Sequence, residues 1–259
     1  MLPYIGVTGF MTTEEIEIIG ETAGFVPSRP LMLGILASDK TLCGEPNKYP
    51  NRYPSAGRFY ELIQAISKLQ RCHRVFSAIH YHTPNRENFA RTIDETLART
   101  GYNTDALQLN IAWPSRAGIY ALRSRHSKLK IILQIGPTAM HMLHNDPERI
   151  AEKVQEYDHL VDKFLIDVSG GTGKLFSTDF AKAFLSPLQI IVGDKLGVAG
   201  GLCADTLDVV REIAEEFPNI SIDAEGRRRR PSDDTLDLKE TKRYVQAALE
   251  LFSAASAAG

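Results

Sequence analysis

The sequence lacks the features that mark several large classes of protein. It has three cysteines in 259 residues, Cys43, Cys72 and Cys203, and their spacing fits neither a zinc motif nor a disulfide framework. Its formal net charge of −2 gives no reason to expect nucleic acid or a membrane surface as a partner. No stretch approaches the ~20 apolar residues of a membrane span, and the first residues lack the basic flank and apolar core of a signal peptide. We therefore expect a cytoplasmic protein with reduced thiols.

The chain is long enough to form one large domain. Its 259 residues are close to the ~250 of a typical (β/α)8 barrel, and we expect residues 1–259 to form a single barrel domain. The dense basic segment Arg227-Arg228-Arg229-Arg230 is short, and we expect it to be a solvated loop. Nothing in the sequence indicates the oligomeric state.

Eight short apolar runs alternate along the chain with segments of helical periodicity. The helices have recognisable start signals: Thr12 to Glu15 form a capping box, and Asp146-Pro147 supplies an N-cap and a first-turn proline. Eight strand-helix units of this length predict a closed (β/α)8 TIM barrel, with a doubly wound open sheet as the alternative. The predicted strands lie within residues 4–9, 31–37, 75–82, 106–111, 130–136, 164–168, 198–202 and 220–226.

The sixth predicted strand ends in a carboxylate that a glycine cluster follows. Asp167 closes an otherwise apolar run, and burying a carboxylate there is costly unless the group is paired or used in chemistry. Glycines can adopt positive φ and turn backbone N–H groups toward an anion, although a flexible turn is the alternative. The next two strands also end in glycine, and in a TIM barrel the loops after strands seven and eight form the usual phosphate site. We expect a phosphate to bind at Gly170, Gly171, Thr172, Gly173, Gly200, Gly201 and Gly226.

These motifs resemble those of the phosphoribosylanthranilate isomerase family. Asp167 with the Gly-Gly-Thr-Gly-Lys segment after it, and Gly200-Gly201-Leu202, match the family's strand-six and strand-seven motifs. Gln108 and Asn110 resemble a Gln-Leu-His pattern in strand four, with asparagine in place of histidine. Arg52-Tyr53 resembles an Arg-Tyr pair after strand two, whose arginine binds the carboxylate of anthranilate.

The resemblance implies a small phosphorylated sugar of the phosphoribosyl type as substrate. It implies that Asp167 is the general acid and that Arg52, Gln108 and Asn110 bind the substrate. We expect neither a cofactor nor a metal to take part. The family's reaction is an Amadori isomerisation, in which the sugar ring opens to an imine and a base then removes the proton at C2.

The reactive half of the barrel departs from the family. Thr8 stands where the family has a cysteine that acts as general base, and a threonine hydroxyl is far too weak an acid to replace a thiol. Strand eight ends in the four residues 223–226, Asp-Ala-Glu-Gly, where the family has an Asp-Val-Ser-Ser-Gly type of turn. We therefore expect a poor or inactive phosphoribosylanthranilate isomerase.

Two histidines are candidates for the missing base. His80 and His82 point to the same side of strand three, which suits acid–base chemistry, although a hydrogen-bonded structural role is the alternative. A metal site would need a third ligand, and no other histidine falls at a strand end. Cys43, in the loop after strand two, is a further candidate thiolate.

Other polar and aromatic residues near the predicted strand ends allow two interpretations each. Asp223 and Glu225 would repel a phosphate unless they turn away and pair with Arg227 or Arg229. Trp113 would either stack on a planar ring of the ligand or pack in the core.

Three functions are compatible with these residues. The first is an isomerase that acts on a phosphoribosyl-type substrate. The second keeps the phosphate site but cleaves or transfers at a sugar C–N bond. The third is a barrel without catalytic activity that binds a phosphorylated metabolite.

Overall fold

Eight parallel strands close into one barrel. The structure is a computed structural model that describes residues 1–24, 29–170 and 172–257. Each strand pairs with its neighbours in sequence, and β8 pairs with β1, so the sheet has no free edge. This confirms the predicted TIM barrel and excludes the open sheet. The strands are β1 (Ile5–Thr8), β2 (Leu31–Ser38), β3 (Val75–His82), β4 (Ala106–Asn110), β5 (Lys130–Ile135), β6 (Lys163–Asp167), β7 (Leu196–Ala199) and β8 (Ser221–Ala224).

The helices surround the barrel and begin where the sequence places their caps. The Thr12 hydroxyl accepts a hydrogen bond from the Glu15 N–H at 3.1 Å, and the Glu15 carboxylate accepts one from the Thr12 N–H at 3.1 Å. None of the described helices has both the length and the hydrophobicity that crossing a membrane requires. The α-helices are α1 (Thr13–Gly20), α2 (Asp39–Cys43), α3 (Phe59–Leu69), α4 (Phe89–Arg99), α5 (Arg116–Arg125), α6 (Pro137–Met142), α7 (Pro147–Gln155), α8 (Thr178–Val192), α9 (Asp208–Glu216) and α10 (Leu238–Ala257).

The core has an outer and an inner part. The outer part lies between the strands and the helices and holds most of the buried apolar side chains. The inner part lies inside the barrel and is small. Polar side chains occupy the upper half, at the carboxyl ends of the strands. The inner apolar cluster consists of Tyr4, Met32, Ala78, Ala106, Ile132, Leu165 and Ala199.

Two glycines in the barrel wall make room for this polar layer. A Cβ atom on Gly6 would lie 2.6 Å from a carboxylate oxygen of Asp223, and one on Gly34 would lie 2.5 Å from the Thr8 hydroxyl. Both distances are far inside van der Waals contact. Glycine is therefore required at both positions for the Thr8 and Asp223 side chains to enter the barrel.

The basic segment 227–230 is not a solvated loop, and this prediction from the sequence is wrong for two of its residues. Arg228 is fully buried, where it donates to the Leu202 carbonyl and lies over the Tyr244 ring at 5.2 Å. Arg229 is also buried and donates to the Gly9 carbonyl at 2.6 Å. Both guanidinium groups bind carbonyl oxygens that follow β7 and β1. The charge pattern alone could not show that these oxygens needed donors.

Candidate active site

Six polar side chains form a layer at the carboxyl ends of the strands. All six are buried, although their side chains are polar or ionisable. Essentially every characterised TIM-barrel enzyme has its active site at this end of the barrel. The layer is therefore the candidate active site. Its members are Thr8, His80, Gln108, Gln134, Asp167 and Asp223.

Asp167 has four hydrogen-bond donors around its carboxylate. The backbone N–H and the hydroxyl of Ser169 each donate at 2.8 Å, the Gly170 N–H donates at 3.2 Å, and the Gln134 amide donates at 2.7 Å. Burial raises the pKa of Asp167, and the hydrogen bonds from Ser169 oppose this rise. Lys195, whose charge could have paired with Asp167, pairs instead with Asp158 at 2.8 Å. A buried carboxyl group with a raised pKa is suited to donating a proton.

Asp223 is the second buried carboxylate of the layer. It accepts hydrogen bonds from the Thr8 hydroxyl and from the Gln108 amide, both at 3.2 Å. Burial raises the pKa of Asp223 to about 7, and the charges of Glu225 and Asp167 act in the same direction. The hydrogen-bond partners of Asp223 are these two neutral groups rather than Arg227 or Arg229.

Two glutamines connect the carboxylates. The Gln108 amide nitrogen lies 3.2 Å from Asp223 and 3.1 Å from the Gln134 carbonyl oxygen, and the Gln134 amide nitrogen in turn donates to Asp167. We call this chain of amides, Gln108 and Gln134, the amide ladder. It holds the two carboxylates apart in fixed orientations. Gln134 was missed at the sequence level, since Asp167 was identified as a charge in an apolar strand and Gln108 through the family resemblance, and neither signal points to Gln134.

The two histidines have different surroundings. His80 is buried with its Nδ1 atom 3.3 Å from the Gln108 amide nitrogen, whereas His82 is exposed with Nδ1 3.1 Å from the Asn110 carbonyl oxygen. Burial, and then the nearby His82 ring, lower the pKa of His80 to about 4. His80 is therefore neutral near pH 7 and a weak proton acceptor. Within the described part of the chain, no three histidine, cysteine or acidic side chains are arranged to hold a metal ion.

Arg52 is bound by carboxylates of the chain itself. Its guanidinium donates to Asp234 at 2.7 and 2.8 Å and to Glu225 at 2.9 Å, and it lies over the Tyr49 ring at 4.1 Å. The resemblance assigns Arg52 to a carboxylate of the substrate. In this structure two carboxylates from the segment after β8, those of Glu225 and Asp234, bind the guanidinium where the substrate carboxylate would bind.

The glycine segments after β6, β7 and β8 meet, as the sequence predicts. A Cβ on Gly201 would lie 2.4 Å from the Leu175 nitrogen, and one on Gly173 would lie 3.7 Å from the Gly226 carbonyl carbon. Thr172 donates its N–H to the Ser169 carbonyl at 3.1 Å. Gly171 lies outside the described residues.

A small cavity of about 20 Å³ lies where these segments face the polar layer, which is room for roughly one water molecule. Binding a phosphate there would require the segments to move apart. Three carboxylates, those of Asp167, Asp223 and Glu225, and three of the predicted glycines line the same space. The lining comprises His80, Gln108, Gln134, Leu165, Asp167, Ser169, Ala199, Gly200, Gly201, Asp223, Glu225 and Gly226.

We expect Gly201→Ala to destabilise the protein more than Gly44→Ala. Both glycines have positive φ, +64° and +71°, so each alanine carries a similar backbone strain of about 1–2 kcal/mol. The alanine at 201 also meets the Leu175 backbone, which adds about 1–3 kcal/mol, whereas nothing lies within 4 Å of the position at 44. Urea unfolding of both variants measures the difference, and equal losses would show that the two loops are not packed as described.

A larger cleft of about 510 Å³ opens beside the small cavity and shares Gln134 and Ser169 with it. This volume is in the range of small-molecule sites. His82 and Asn110, both candidates from the sequence, line it together with Arg86, and no carboxylate does. The rest of the lining is Thr83, Pro84, Ala112, Gly136, Pro137, Thr138, Ala139, Met142, Gly170 and Thr172.

Two further candidates lie outside these cavities. Trp113 is a core residue, since it is buried and its indole N–H donates to the Ala139 carbonyl at 2.9 Å. Cys43 is exposed at the end of α2 and lines neither cavity.

Comparison with known proteins supports the fold. No protein-family model and no curated protein sequence matches this chain. Solved structures share its barrel. Orotidine 5'-phosphate decarboxylase from Pyrococcus horikoshii OT3 aligns with a TM-score of 0.56 at 13% identity, over 94% of this chain and 98% of its own. The YdjI aldolase from Escherichia coli K12 aligns at 0.50 and 11% identity, over 100% of this chain and 94% of its own.

A third structural relative is longer than this protein. The Rubisco-like protein from Rhodopseudomonas palustris aligns with a TM-score of 0.55 at 11% identity, over 95% of this chain. This chain spans 63% of the length of that protein. At such identities the likeness establishes a shared architecture, and the chemistry has to be argued from the site.

Proposed function

We propose that the protein is an isomerase that acts on a phosphorylated sugar carrying an amino-linked group, a substrate of the phosphoribosyl type. The observation that carries the proposal is the position of Asp167. Its buried carboxyl group, whose pKa is raised, ends β6 and faces the same cavity as Gly200, Gly201 and Gly226. A proton donor beside glycine loops after β7 and β8 suits a phosphorylated substrate that needs acid catalysis.

The proposed reaction begins with acid catalysis at the sugar ring. Asp167 protonates the ring oxygen, the bond between that oxygen and C1 breaks, and the nitrogen lone pair forms a C1–N double bond. A base then removes the proton from C2, and the electron pair forms a C1–C2 double bond while the nitrogen regains its lone pair. Transfer of a proton to C1 and loss of the C2 hydroxyl proton give the ketose. C1 is reduced and C2 is oxidised by two electrons, so no external redox partner is needed.

The phosphate is proposed to bind the backbone N–H groups of the glycine segments after β6, β7 and β8. Two of the amides in the first segment are engaged within the chain: Gly170 with Asp167 and Thr172 with Ser169. The segments after β7 and β8 therefore supply the main donors in this proposal. Closure of such loops around a phosphate is a common step in TIM-barrel enzymes.

A reaction at the sugar C–N bond is the second candidate. The residue at position 8 favours it. Thr8 has a hydroxyl that donates to Asp223, and it lacks the thiol that serves the isomerase family as general base. After ring opening by Asp167, water would add to C1 of the C1–N double bond and pass a proton to the nitrogen. The C1–N bond would then break and release the amine and the aldehyde form of the sugar instead of a ketose.

Turnover with phosphoribosylanthranilate and with phosphoribosyl amines of other aglycones tests these proposals. We expect phosphoribosylanthranilate to be turned over about 10²–10⁴-fold more slowly than the best phosphoribosyl amine with another aglycone, because the site lacks the general base of the isomerase family. Carbon-13 NMR of the products separates a ketose from a free sugar and amine. Tight binding of a substrate without any product would instead identify a binding protein, and neither binding nor product would reject the proposal.

A further inference from the structure

The position next to Thr8 is occupied by a carboxylate from the last strand. The Asp223 oxygens lie 3.2 and 3.5 Å from the Thr8 hydroxyl, and the residues are 215 apart in sequence. Gly6 on β1 leaves the space that the Asp223 carboxylate fills. The fold therefore places an ionisable group at the strand-one side of the site, where Thr8 itself offers none.

Among the described residues, the side chains that donate to this carboxylate are the neutral groups of Thr8 and Gln108. The guanidinium of Arg52 is bound to Glu225 and Asp234, and that of Arg229 donates to the carbonyls of Thr8 and Gly9. The hydrogen bonds from Thr8 and Gln108 lower the pKa of Asp223, while burial and two negative charges raise it, with the result at about 7. Such a carboxyl group changes its protonation state near neutral pH. The titratable groups that interact with it are Glu225, Asp167, Tyr4 and Tyr244.

We propose that Asp223 is the general base of the isomerisation and takes the proton from C2 of the ring-opened sugar. This inference rests on the proposed function. Asp167 and Asp223 line one cavity, and the amide ladder keeps them from sharing a proton directly. One site thus presents an acid and a base to the same substrate.

Both carboxylates return to their starting states in this scheme. Asp167 gives its proton to the ring oxygen, and Asp223 takes the proton from C2. The proton on Asp223 exchanges in part with solvent and is then passed to C1, while Asp167 accepts the proton of the C2 hydroxyl as the ketone forms. Every proton has a donor and an acceptor, and no further reactant is needed.

His80 is less suited to this task. Its pKa of about 4 makes it a weak base near pH 7, and its Nδ1 atom faces the Gln108 amide rather than the hydroxyl of Thr8. The best general base has a pKa close to the working pH, which Asp223 meets.

The test compares Asp223→Asn with the wild-type protein on the phosphoribosyl amine that it turns over. We expect kcat to fall by about 10²–10⁴-fold and the exchange of the C2 proton with deuterated solvent to fall with it. Affinity for inorganic phosphate should stay within about twofold, because the glycine segments are unchanged. Thermal unfolding establishes that the variant is folded. Asp158→Asn, measured alongside, should retain C2-proton exchange, because Asp158 pairs with Lys195 at 2.8 Å and does not line the cavity.

A second pair of variants tests Asp223 without altering it. Thr8→Val removes a hydrogen bond that lowers the pKa of Asp223, so the acid limb of kcat/KM should shift to higher pH. Thr8→Ser keeps the hydroxyl and should leave the limb near its wild-type position. The charges of Asp167 and Asp223 interact, so the wild-type limbs belong to the pair. A difference between the two Thr8 variants in the pH of the acid limb of kcat/KM would assign that limb to Asp223.

The outcomes separate this inference from the proposed function. If the wild-type protein isomerises no phosphoribosyl amine, the proposed function fails and the inference fails with it. If the wild-type protein is active and Asp223→Asn keeps C2-proton exchange, only the inference fails. An acid limb that does not move in Thr8→Val would overturn it in the same way.

Discussion

Asp167→Asn should lower kcat by about 10²–10⁴-fold while the affinity for inorganic phosphate stays nearly constant. The amide has the size of the carboxyl group but cannot give a proton to the ring oxygen. The Gln134 amide would then donate to a neutral side chain of the same size in place of a carboxylate. Steady-state kinetics on the phosphoribosyl amine that the wild-type protein turns over, with phosphate binding measured by calorimetry, gives both quantities.

Asp158→Asn is the matched control for this result. Asp158 also carries a carboxylate, but it is partly exposed and pairs with Lys195 on the outside of the barrel. We expect its removal to leave kcat unchanged. Full activity of the Asp167 variant would remove that residue from the mechanism. A loss of phosphate binding would instead assign it to the substrate site.

Arg52→Ala should lower the free energy of unfolding by about 3 kcal/mol. Its side chain is 8% exposed and pairs with two carboxylates, the mostly buried Glu225 (18% exposed) and the more exposed Asp234 (34%), so the buried pair is the one with Glu225. Removing one partner of a buried ion pair leaves the other charge without compensation, which typically costs about 3–5 kcal/mol. The loss should be larger at pH 7 than at pH 5, because burial raises the pKa of Glu225 and protonation at low pH removes its unpaired charge.

Arg58→Ala provides the comparison for an exposed pair. Arg58 and Glu61 form a bridge on the surface, with side chains 40% and 49% exposed, and such pairs contribute about 0–1 kcal/mol. Urea unfolding of both variants gives the two values. If Arg52→Ala unfolds like the wild-type protein but raises KM for a substrate with a carboxylate, Arg52 binds substrate as the family resemblance implies. Its pairing with Glu225 and Asp234 would then open on binding.

Local sequence patterns were enough to predict the barrel and half of its candidate site. Apolar runs of strand length, capping boxes and terminal glycines are contained in a few neighbouring residues, and Asp167 stands out as a single charge within one of them. The contact between Thr8 and Asp223 depends on the closure of the barrel and on the register of β8 with β1. No local pattern carries that register.

The burial of two arginines in the basic segment also could not be predicted from local sequence. Four consecutive arginines indicate a solvated surface when only charge is considered. Arg228 and Arg229 are buried because carbonyl oxygens after β7 and β1 need donors, and their positions follow only from the assembled fold. Gln134 was missed for a different reason, since a lone glutamine in an apolar strand is a weak signal until a neighbour gives it a role.

The bonds from Arg229 to Gly9 and from Arg52 to Asp234 also have a consequence for synthesis. They join residues 220 and 182 positions apart, so neither can form until Arg229 and Asp234 have left the ribosome. Until β8 emerges, β1 and β7 are unpaired edges that can recruit another nascent chain. The arginine-rich segment directly follows β8 and reaches β1 as soon as the strand docks. Docking of β8 therefore removes both of these edges at once and with them the surface for aggregation.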